Sequence, residues 1–512
     1  MGLKISDYSN THFRVQPSDE DSVEQYRRLF FAMKLRVEGY RFMPAYKYGE
    51  WDGTIEYLHY KSGLVKLGLY KKTLQIINDC NIEVDFLDDK IVENRFTGFP
   101  REEIVKFLEA QKVFSKGSPL LPRDYQLESV IQALTQKRLL VQSPTSSGKS
   151  LIIYFILKFL LQQIQGKVLL IVPTTNLVNQ MFADFADYEN TNKVEWAETS
   201  TNKKHTGAAQ VFISTWQSVI RQKNREWWSQ FDVLMVDEAH HCKATSLNKI
   251  SDNLPNAEFR FGFSGSINEN WKDTSFWTIV AQFGRIYTTT TTKSLIAEKQ
   301  IASAKVVLVE LDHTSERIPR LEYQNELKYI CSSPERNKVI ESIVSNTTGN
   351  TLVLFSLVQI HGKVLYEDFK KAFPQRTILY VSGEVEAEER EQVRQYTENN
   401  NNVVIIASYQ TFSTGVNIKN LHNVIFASPT KSFTRVVQSI GRGLRKSNTK
   451  DECTIYDLFD LLYGTPDKMR RTNYTYRHFL NRLEIYKREG FPMKMLRQKI
   501  IKTLIANPLD LC

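Results

Sequence analysis

Apolar and polar positions along the chain follow two different periods, which predict strands and helices in regular succession. Short apolar runs typical of buried strands are followed by longer runs typical of helices. The first stretch of this kind gives, in chain order, Leu139–Gln142, Leu151–Gln163, Val168–Val172, Leu177–Asp187, Val211–Ser214 and Val233–Val236. Such alternation indicates an α/β fold, in which a parallel sheet is flanked by helices.

The same alternation returns in the second half of the chain. Its strand-like runs are Leu352–Phe355, Thr377–Val381, Val403–Ala407 and Val424–Ala427. A length of 512 residues is too great for one core, because domains usually hold ~100–200 residues. We therefore predict two tandem parallel-sheet lobes, at residues 115–290 and 300–458.

The two ends of the chain differ from these lobes. Residues 1–100 alternate aromatic and polar positions and have glycines at plausible turns, which predicts a small α+β domain with a helix over Val23–Arg36. The segment Ser115–Pro122 has the composition of a linker. Residues 459–512 are predicted to form a basic helical domain.

Composition narrows the class of protein. A hydrophobic fraction of 42% and a charged fraction of 24% are ordinary for a soluble globular protein. The net charge of +10 favours a polyanionic partner, and from Leu461 to Cys512 eleven Lys and Arg face only four Asp and Glu. This basic tail has two interpretations, a nucleic-acid surface or a solvated helical face.

Cysteine usage and apolar runs indicate the cytoplasm and give no sign of a membrane role. The five cysteines are far apart and contain no Cys-x-x-Cys pair, so neither a disulfide framework nor a zinc site is predicted. The longest apolar stretch, Leu151–Leu161, is too short to span a bilayer.

The strongest local motif is Ser143-Pro144-Thr145-Ser146-Ser147-Gly148-Lys149-Ser150, between a predicted strand and a predicted helix. This is the context that a phosphate-binding loop requires, although Ser143 stands where a glycine is usual. Backbone N–H groups of Ser146, Ser147 and Gly148 can wrap phosphates. Lys149 supplies a positive charge and the Ser150 hydroxyl a ligand for Mg²⁺.

Two carboxylates follow a second buried strand, in Asp237-Glu238-Ala239-His240. Asp237, at the end of the strand, can hold Mg²⁺ directly or through water. Glu238 can act as the general base that polarises an attacking water. His240 can couple this position to a neighbouring loop.

A third motif lies nearly 300 residues from Lys149, in Gln438-Ser439-Ile440-Gly441-Arg442-Gly443-Leu444-Arg445. Arg442 and Arg445 share one face if the segment is helical. A guanidinium that reaches the transferring phosphoryl group is worth ~10³–10⁵ in rate in related enzymes. These arginines act on ATP only if the two lobes close on each other.

These three motifs, in this order across two α/β units, resemble those of superfamily 2 helicases. The resemblance implies RecA-like lobes, a site for ATP and Mg²⁺, catalytic roles for Gln438, Arg442 and Arg445, adenine recognition by Gln126, and a phosphate contact at Gly415. Ser264-Gly265-Ser266 resembles the motif that couples hydrolysis to lobe movement. The residues implied to contact nucleic acid are Thr174, Thr175, Thr215, Trp216, Gln217, Thr411 and Ser413.

Within that superfamily, Tyr46–Gly53 and Phe283-Gly284-Arg285-Ile286 are similar to segments of the phage UvsW family. That family implies remodelling of branched DNA, including fork regression, junction migration and the unwinding of RNA–DNA hybrids, by a monomer in the host cytoplasm. The aromatic N-terminal region is then either a junction-binding platform or an ordinary packed core. Deletion of residues 1–95 is expected to leave the ATPase intact and weaken junction preference.

The basic tail is the second candidate for DNA contact, through Arg470, Arg471 and Arg477, with the aromatic residues Tyr474, Tyr476, Phe479 and Tyr486 between basic ones. Alternatives to a DNA helicase are an RNA helicase, the translocase subunit of a restriction-type system, and a non-enzymatic binding protein. The ATPase motifs do not distinguish DNA from RNA, and intact Lys149, Asp237 and Glu238 argue against the last alternative.

Overall fold

The structure is a computed structural model and describes residues 2–144, 146–200, 209–241, 244–265, 267, 269–313, 318–415, 418, 420–430, 452–463 and 472–500. The chain divides into two compact units, Met1–Thr290 and Thr291–Cys512. Each unit contains one seven-stranded sheet whose strands are all parallel, as expected for two RecA-like lobes. The finer division into four domains stays a prediction.

The first unit begins with a four-stranded mixed sheet in the order β5-β2-β1-β6, with helices packed against it. Its elements are β1 (Leu3–Asp7), β2 (His12–Pro17), α1 (Val23–Ala32), β3 (Lys34–Arg36), α2 (Pro44–Lys47), β4 (Thr54–Glu56), β5 (Leu64–Lys66), α3 (Tyr70–Asp79), β6 (Val84–Leu87), α4 (Lys90–Arg95) and α5 (Arg101–Ala110). The predicted α+β character of this region is therefore confirmed.

The first lobe follows within the same unit. Its elements are β7 (Val113–Ser115), β8 (Ser118–Leu120), α6 (Asp124–Leu134), β9 (Arg138–Gln142), α7 (Lys149–Gln163), β10 (Lys167–Val172), α8 (Thr175–Tyr188), β11 (Ala197–Thr199), β12 (Val211–Thr215), α9 (Trp216–Val219), α10 (Arg225–Ser229), β13 (Phe231–Val236), α11 (Ala244–Asp252), β14 (Phe259–Ser264), α12 (Thr274–Phe283) and β15 (Ile286–Thr288). The strand order in the sheet is β11-β12-β10-β13-β14-β9-β15.

The N-terminal region and the first lobe share one hydrophobic core. Buried residues of β1, β2 and α1 form a continuous cluster with residues of α12 and the lobe sheet. Tyr57 donates to the carbonyl of Thr274 at 2.7 Å and its ring lies 4.9 Å from that of Trp277. A Cβ on Gly68 would lie 2.1 Å from the carbonyl oxygen of Val280, so only glycine fits this seam.

The second unit holds the second lobe. Its elements are α13 (Thr292–Ala297), β16 (Ser303–Asp312), α14 (Tyr323–Cys331), α15 (Pro334–Ser345), β17 (Thr351–Phe355), α16 (Lys363–Ala372), β18 (Thr377–Val381), α17 (Ala387–Asn399), β19 (Val403–Ser408), α18 (Tyr409–Gly415), β20 (Asn423–Phe426), β21 (Glu452–Leu461), α19 (Tyr474–Glu489) and β22 (Met493–Lys499). The strand order is β18-β19-β17-β20-β21-β16-β22.

Three local predictions differ from the structure. The helix predicted over Val23–Arg36 ends at Ala32, because Lys34–Arg36 pairs with β4 as a strand. Strand β21 continues across the boundary predicted at residue 458, and β22 pairs in parallel with β16, so the described part of the tail adds a strand to the second sheet as well as a helix. The segment predicted as a linker forms the antiparallel β7–β8 hairpin instead. Within the part of the chain that the structure describes, every helix is too short or too polar to span a lipid bilayer.

Candidate nucleotide site and nucleic-acid contacts

The predicted site residues of the first unit lie at one edge of its sheet. Strands β12, β10, β13, β14 and β9 are neighbours in that order, and each is parallel to the next. The polar residues at their carboxyl ends are Thr215, Thr174, Asp237, Ser264 and Ser143. Open parallel sheets bind ligands at this edge, because the loops and helix N-termini converge there.

The phosphate-loop candidate joins β9 to α7. Ser146 and Gly148 have left-handed backbones, with φ of 70° and 81°, which turn the chain sharply before the helix begins at Lys149. The Ser146 hydroxyl is buried without a hydrogen-bond partner among the described residues. A helix N-terminus preceded by such a turn presents N–H groups to an anion.

Ser143 replaces the usual glycine without opening the loop. Its hydroxyl lies 2.6 Å from that of Ser147 and accepts from the Thr289 hydroxyl at 3.0 Å, while its N–H donates to the carbonyl of Ser264 at 2.9 Å. The hydroxyl network therefore fixes the start of the loop from two neighbouring strands. Sequence reasoning missed Thr289, since a threonine run gives no signal for one particular hydroxyl.

Lys149 lies between the two predicted catalytic carboxylates. Its Nζ is 2.5 Å from Oε1 of Glu238 and 2.9 Å from Oδ1 of Asp237. Burial opposes its charge, but the two carboxylates together raise the pKa of Lys149 above its usual value. Burial also raises the pKa of Asp237, against the attraction of Lys149. Lys149 is thus a charged group placed where phosphates would compete with the carboxylates.

Glu238 is held in a strained backbone conformation beside a second loop. Its φ is 48°, a left-handed value that costs a non-glycine residue energy and is common at functional sites. The Gly265 N–H points at its Oε2 from 3.4 Å, and His240 Nδ1 lies 2.6 Å from the Ser264 hydroxyl. The predicted link from His240 to a neighbouring loop is therefore present.

Gln126 is locked to the loop rather than free at the surface. It is buried, its Nε2 donates to the Ser147 carbonyl at 2.8 Å and its Oε1 accepts from the N–H of Arg123 at 2.8 Å. The Tyr125 hydroxyl donates to the same Ser147 carbonyl at 2.8 Å. A Cβ on Gly148 would lie 2.3 Å from Gln126 Nε2, so glycine is required where the two motifs meet.

The oxygen donors near the loop fit a hard cation. The Ser150 hydroxyl lies 2.7 Å from that of Tyr188, and Asp237 follows β13 in the neighbouring part of the edge. No cluster of three or more His, Cys, Asp or Glu suited to a metal occurs among the described residues. Mg²⁺ in nucleotide sites commonly uses one carboxylate or hydroxyl with waters and substrate phosphates, which agrees with this sparse set.

The residues of the first unit that are predicted to contact nucleic acid lie at the N-termini of helices. Thr174 caps α8 by accepting from the Leu177 N–H, and Thr215 caps α9 by accepting from the Ser218 N–H. Thr175 and Gln217 are exposed beside them. Trp216 is partly buried against the core, so only part of its ring is available to a ligand.

In the second unit, only some predicted residues can be located. Ser413 and Gly415 belong to α18. Thr411 is buried and its hydroxyl accepts from Ser408 at 2.8 Å, which does not favour the direct phosphate contact predicted for it. Gln438, Arg442, Arg445, Arg470 and Arg471 lie outside the described residues.

Two of the four aromatic residues predicted to form a base-stacking surface in the tail lie in the core, whereas Tyr474 is 41% exposed. Phe479 stacks on Phe459 at 3.7 Å between ring centroids, and Tyr486 is fully buried. Arg482 is buried in an ion pair with Asp457. Of this helix's predicted DNA contacts, Arg477 remains exposed, with Nε 3.3 Å from the Thr472 hydroxyl.

Two parallel-sheet lobes, a phosphate loop and paired carboxylates at one strand edge define the class of nucleic-acid-dependent ATPases that make up superfamily 2 helicases. Residues 1–87 match the family described as DNA helicase UvsW, N-terminal. Residues 119–269 match type III restriction enzyme, res subunit, and residues 335–447 match helicase conserved C-terminal domain.

The similarity to one phage protein extends over nearly the whole chain. The ATP-dependent DNA helicase uvsW of Enterobacteria phage T4 is 33% identical over 507 residues, which cover 96% of this chain and 98% of that protein. The crystal structure of T4 UvsW matches 98% of this chain and 100% of its own, with 30% identity and a TM-score of 0.51. The ATP-dependent Type ISP restriction-modification enzyme LlaBIII bound to DNA is 16% identical, with a TM-score of 0.55 over 75% of this chain and 32% of its own, and shows the fold alone.

The chain belongs to the UvsW family of ATP-dependent DNA helicases. It is therefore an enzyme that uses ATP and acts on nucleic acid.

Proposed function

We propose that this enzyme remodels branched DNA, and that the edge of the first sheet hydrolyses the ATP that drives it. Loop residues Ser146, Ser147 and Gly148 wrap the phosphates, and Lys149 moves its charge from the carboxylates to the β- and γ-phosphates. Gln126 reads adenine while it fixes the loop through Ser147. The observation that carries this assignment is the Lys149–Glu238–Asp237 cluster at the loop.

The two carboxylates take different roles. Asp237 and the Ser150 hydroxyl hold Mg²⁺, which when bound neutralises charge on the phosphates. Glu238, released from Lys149 when the phosphates attract that side chain, accepts a proton from the attacking water. Arg442, Arg445, Gln438 and Gly415 are proposed to stabilise charge on the transferring group, as their resemblance to the helicase motifs implies.

The strand contacts divide by position. Thr174, Thr175, Thr215 and Gln217 lie at the N-termini of α8 and α9, where hydroxyls and N–H groups suit phosphates and carry no base specificity. Trp216 is proposed as a support of these contacts. In the second unit, Ser413 is proposed to contact phosphates itself, with the buried Thr411 as a support within the same helix. Backbone contacts of this kind allow movement along a nucleic-acid strand but do not distinguish branched from linear DNA. The preference for branched DNA must therefore come from another part of the chain.

The N-terminal region offers the surface for that preference. Phe42 is 82% exposed and Tyr48 is 78% exposed, on the segment around α2 that also carries Arg41 and Lys47. Exposed aromatic side chains beside cations can stack on unpaired bases while the cations pair with phosphates. Trp51 instead supports the segment, since its Nε1 donates to the Thr54 carbonyl at 2.7 Å.

The test compares strand displacement on forks, four-way junctions, linear duplexes and RNA–DNA hybrids. The variant Phe42→Ala/Tyr48→Ala is expected to retain DNA-stimulated ATPase while losing most of the preference for forks and junctions. Tyr8→Ala is the matched control, because Tyr8 is an exposed tyrosine of the same region outside this segment. A double variant that still prefers junctions as strongly as the parent would refute the proposal that the segment around α2 recognises branched DNA.

Deletion of residues 1–95, expected from the sequence to be tolerated, is a poorer test. It would strip α12 of the residues that share its core, including the contacts of Tyr57 with Thr274 and Trp277. The substrate panel, extended by an RNA duplex, also decides between DNA, RNA and hybrids. We further propose a monomer that works in the cytoplasm of a host cell, to be checked by light scattering of the purified chain.

A further inference from the structure

The backbone of residues 427–430 directly after β20, which we call the exit of strand β20, is held by buried side chains from three other elements of the second unit. Arg336 NH1 donates to the Ala427 carbonyl at 2.6 Å. The Tyr409 hydroxyl donates to the Ser428 carbonyl at 2.9 Å, and Arg482 NH1 donates to the Thr430 carbonyl at 2.9 Å. Three backbone carbonyls within four residues are thus fixed from α15, α18 and α19.

Arg482 is the contribution of the tail helix to this exit, and it is itself rigidly held. It is 2% exposed, and its Nε and NH2 donate to the two carboxylate oxygens of Asp457 on β21 at 2.8 and 2.7 Å. The Tyr486 hydroxyl donates to the same carboxylate at 2.6 Å. A guanidinium bound in this forked way has a fixed plane, so its remaining nitrogen, NH1, points in one direction.

The chain that leaves Thr430 leads within fifteen residues to Gln438, Arg442 and Arg445. We infer that Arg482 is a positioning residue for ATP hydrolysis, because it fixes the chain at Thr430, from which the segment carrying those arginines continues. This inference rests on the proposed function of Arg445. It gives the tail helix a role in the ATPase that differs from the DNA contact indicated by its charge.

A structural ion pair alone would make a different prediction from a positioning residue. Loss of general packing lowers stability and disturbs every activity, whereas misplacement of a transition-state group lowers kcat and spares ground-state binding. A displacement of ~1 Å in a catalytic geometry can cost ~10²-fold in rate. Arg482 variants are therefore expected to lower kcat while leaving the KM for ATP nearly unchanged.

The first experiment measures kcat and KM for ATP, DNA affinity and thermal stability in the full chain. Arg482→Lys retains a charge beside Asp457 but cannot make all three donations. Tyr409→Phe removes only the hydroxyl at the Ser428 carbonyl. Both are expected to lower kcat about tenfold with KM and DNA affinity within about twofold, since positioning acts on the transition state.

The matched control is Glu326→Gln. Glu326 is buried and accepts from the Tyr474 and Thr475 N–H groups, so this change loosens the start of the same helix without touching the exit of β20. It is expected to lower thermal stability and leave kcat unchanged. Unchanged kcat in both Arg482→Lys and Tyr409→Phe, or an equal kcat loss in Glu326→Gln, would overturn the inference.

A double-mutant cycle separates this inference from the function on which it rests. If Arg482 acts through Arg445, the fold loss of kcat in the double variant should be smaller than the product of the fold losses in Arg482→Lys and Arg445→Lys. Losses that multiply fully would overturn the positioning role. Normal kcat in Arg445→Lys alone would refute the proposed function of Arg445, and this inference with it, whereas an impaired Arg445→Lys beside a normal Arg482→Lys would refute only the inference.

Discussion

Removal of the Lys149 side chain should destabilise the first unit in a way that depends on pH. Lys149→Ala leaves the buried Asp237 and the partly buried Glu238 adjacent and without the cation that lies 2.9 and 2.5 Å from them. Loss of one partner of a buried ion pair costs ~3–5 kcal/mol. At ~2–4 °C per kcal/mol for a domain of this size class, the melting temperature should fall by roughly 6–20 °C.

The sign of the pH dependence follows from Asp237. Burial already raises its pKa, and without Lys149 the opposing attraction is gone, so the pKa rises further. A carboxyl group whose pKa is higher in the folded than in the unfolded state contributes stability below its unfolded pKa and loses it as pH rises through the folded pKa. The deficit of Lys149→Ala should therefore be largest near pH 8 and shrink toward pH 5.

The assay is thermal and urea unfolding at pH 5.5, 7 and 8, followed by circular dichroism, with ATP binding measured by calorimetry at pH 7. Lys158→Ala is the control on the same helix, because its pair with Glu189 is partly exposed and should be worth less than about 1 kcal/mol. ATP binding should be lost in Lys149→Ala alone. A variant as stable as the parent at pH 8, or a deficit that grows toward acid, would refute the electrostatic reasoning.

Three further variants test other parts of the account. Glu238→Gln should bind ATP normally and hydrolyse it at least ~10²-fold more slowly in single-turnover assays, because the general base is lost; unchanged turnover would reassign that role. Gly148→Ala should weaken ATP binding in calorimetry about tenfold, since a left-handed φ costs ~1–2 kcal/mol with a Cβ and the new atom displaces Gln126; normal affinity would show that this contact is irrelevant. Charge reversal at Arg470, Arg471 and Arg477 should lower the slope of the DNA-binding constant, as log K against log salt, by about one unit per lost phosphate contact. An unchanged slope would show that these arginines do not contact DNA.

The sequence predicted the central strands of the two sheets closely, because strands such as β17 and β19 are buried along their whole length and form continuous apolar runs. Strand β18 has the predicted bounds, and β9, β10, β12, β17 and β19 differ from prediction by one residue at an end. The site residues of the first lobe were also predictable, since parallel strands bring the ends of distant segments such as Ser143 and Asp237 to one edge. The order of the motifs along the chain was therefore enough to predict that these residues lie close together.

Contacts that depend on three-dimensional packing were not predictable. The tail helix has the composition of a nucleic-acid surface, yet Phe479, Arg482 and Tyr486 pack against β21, because a buried aspartate there pairs with the arginine. Nothing in the local sequence distinguishes Arg482 from exposed Arg477. The hydroxyl of Thr289 and the shared core of the N-terminal region likewise follow from partners more than 100 residues away.

The most direct test of the central claim measures ATP hydrolysis by the full chain with and without a forked DNA, across a salt series, beside strand displacement on the same fork. The account predicts strong stimulation by the fork, displacement that requires ATP, and loss of both activities in Glu238→Gln. It also predicts that the affinity for DNA falls linearly in log K against log salt. An ATPase rate that no DNA or RNA changes, or strand displacement that persists in Glu238→Gln, would contradict the assignment of this site as the motor of a helicase.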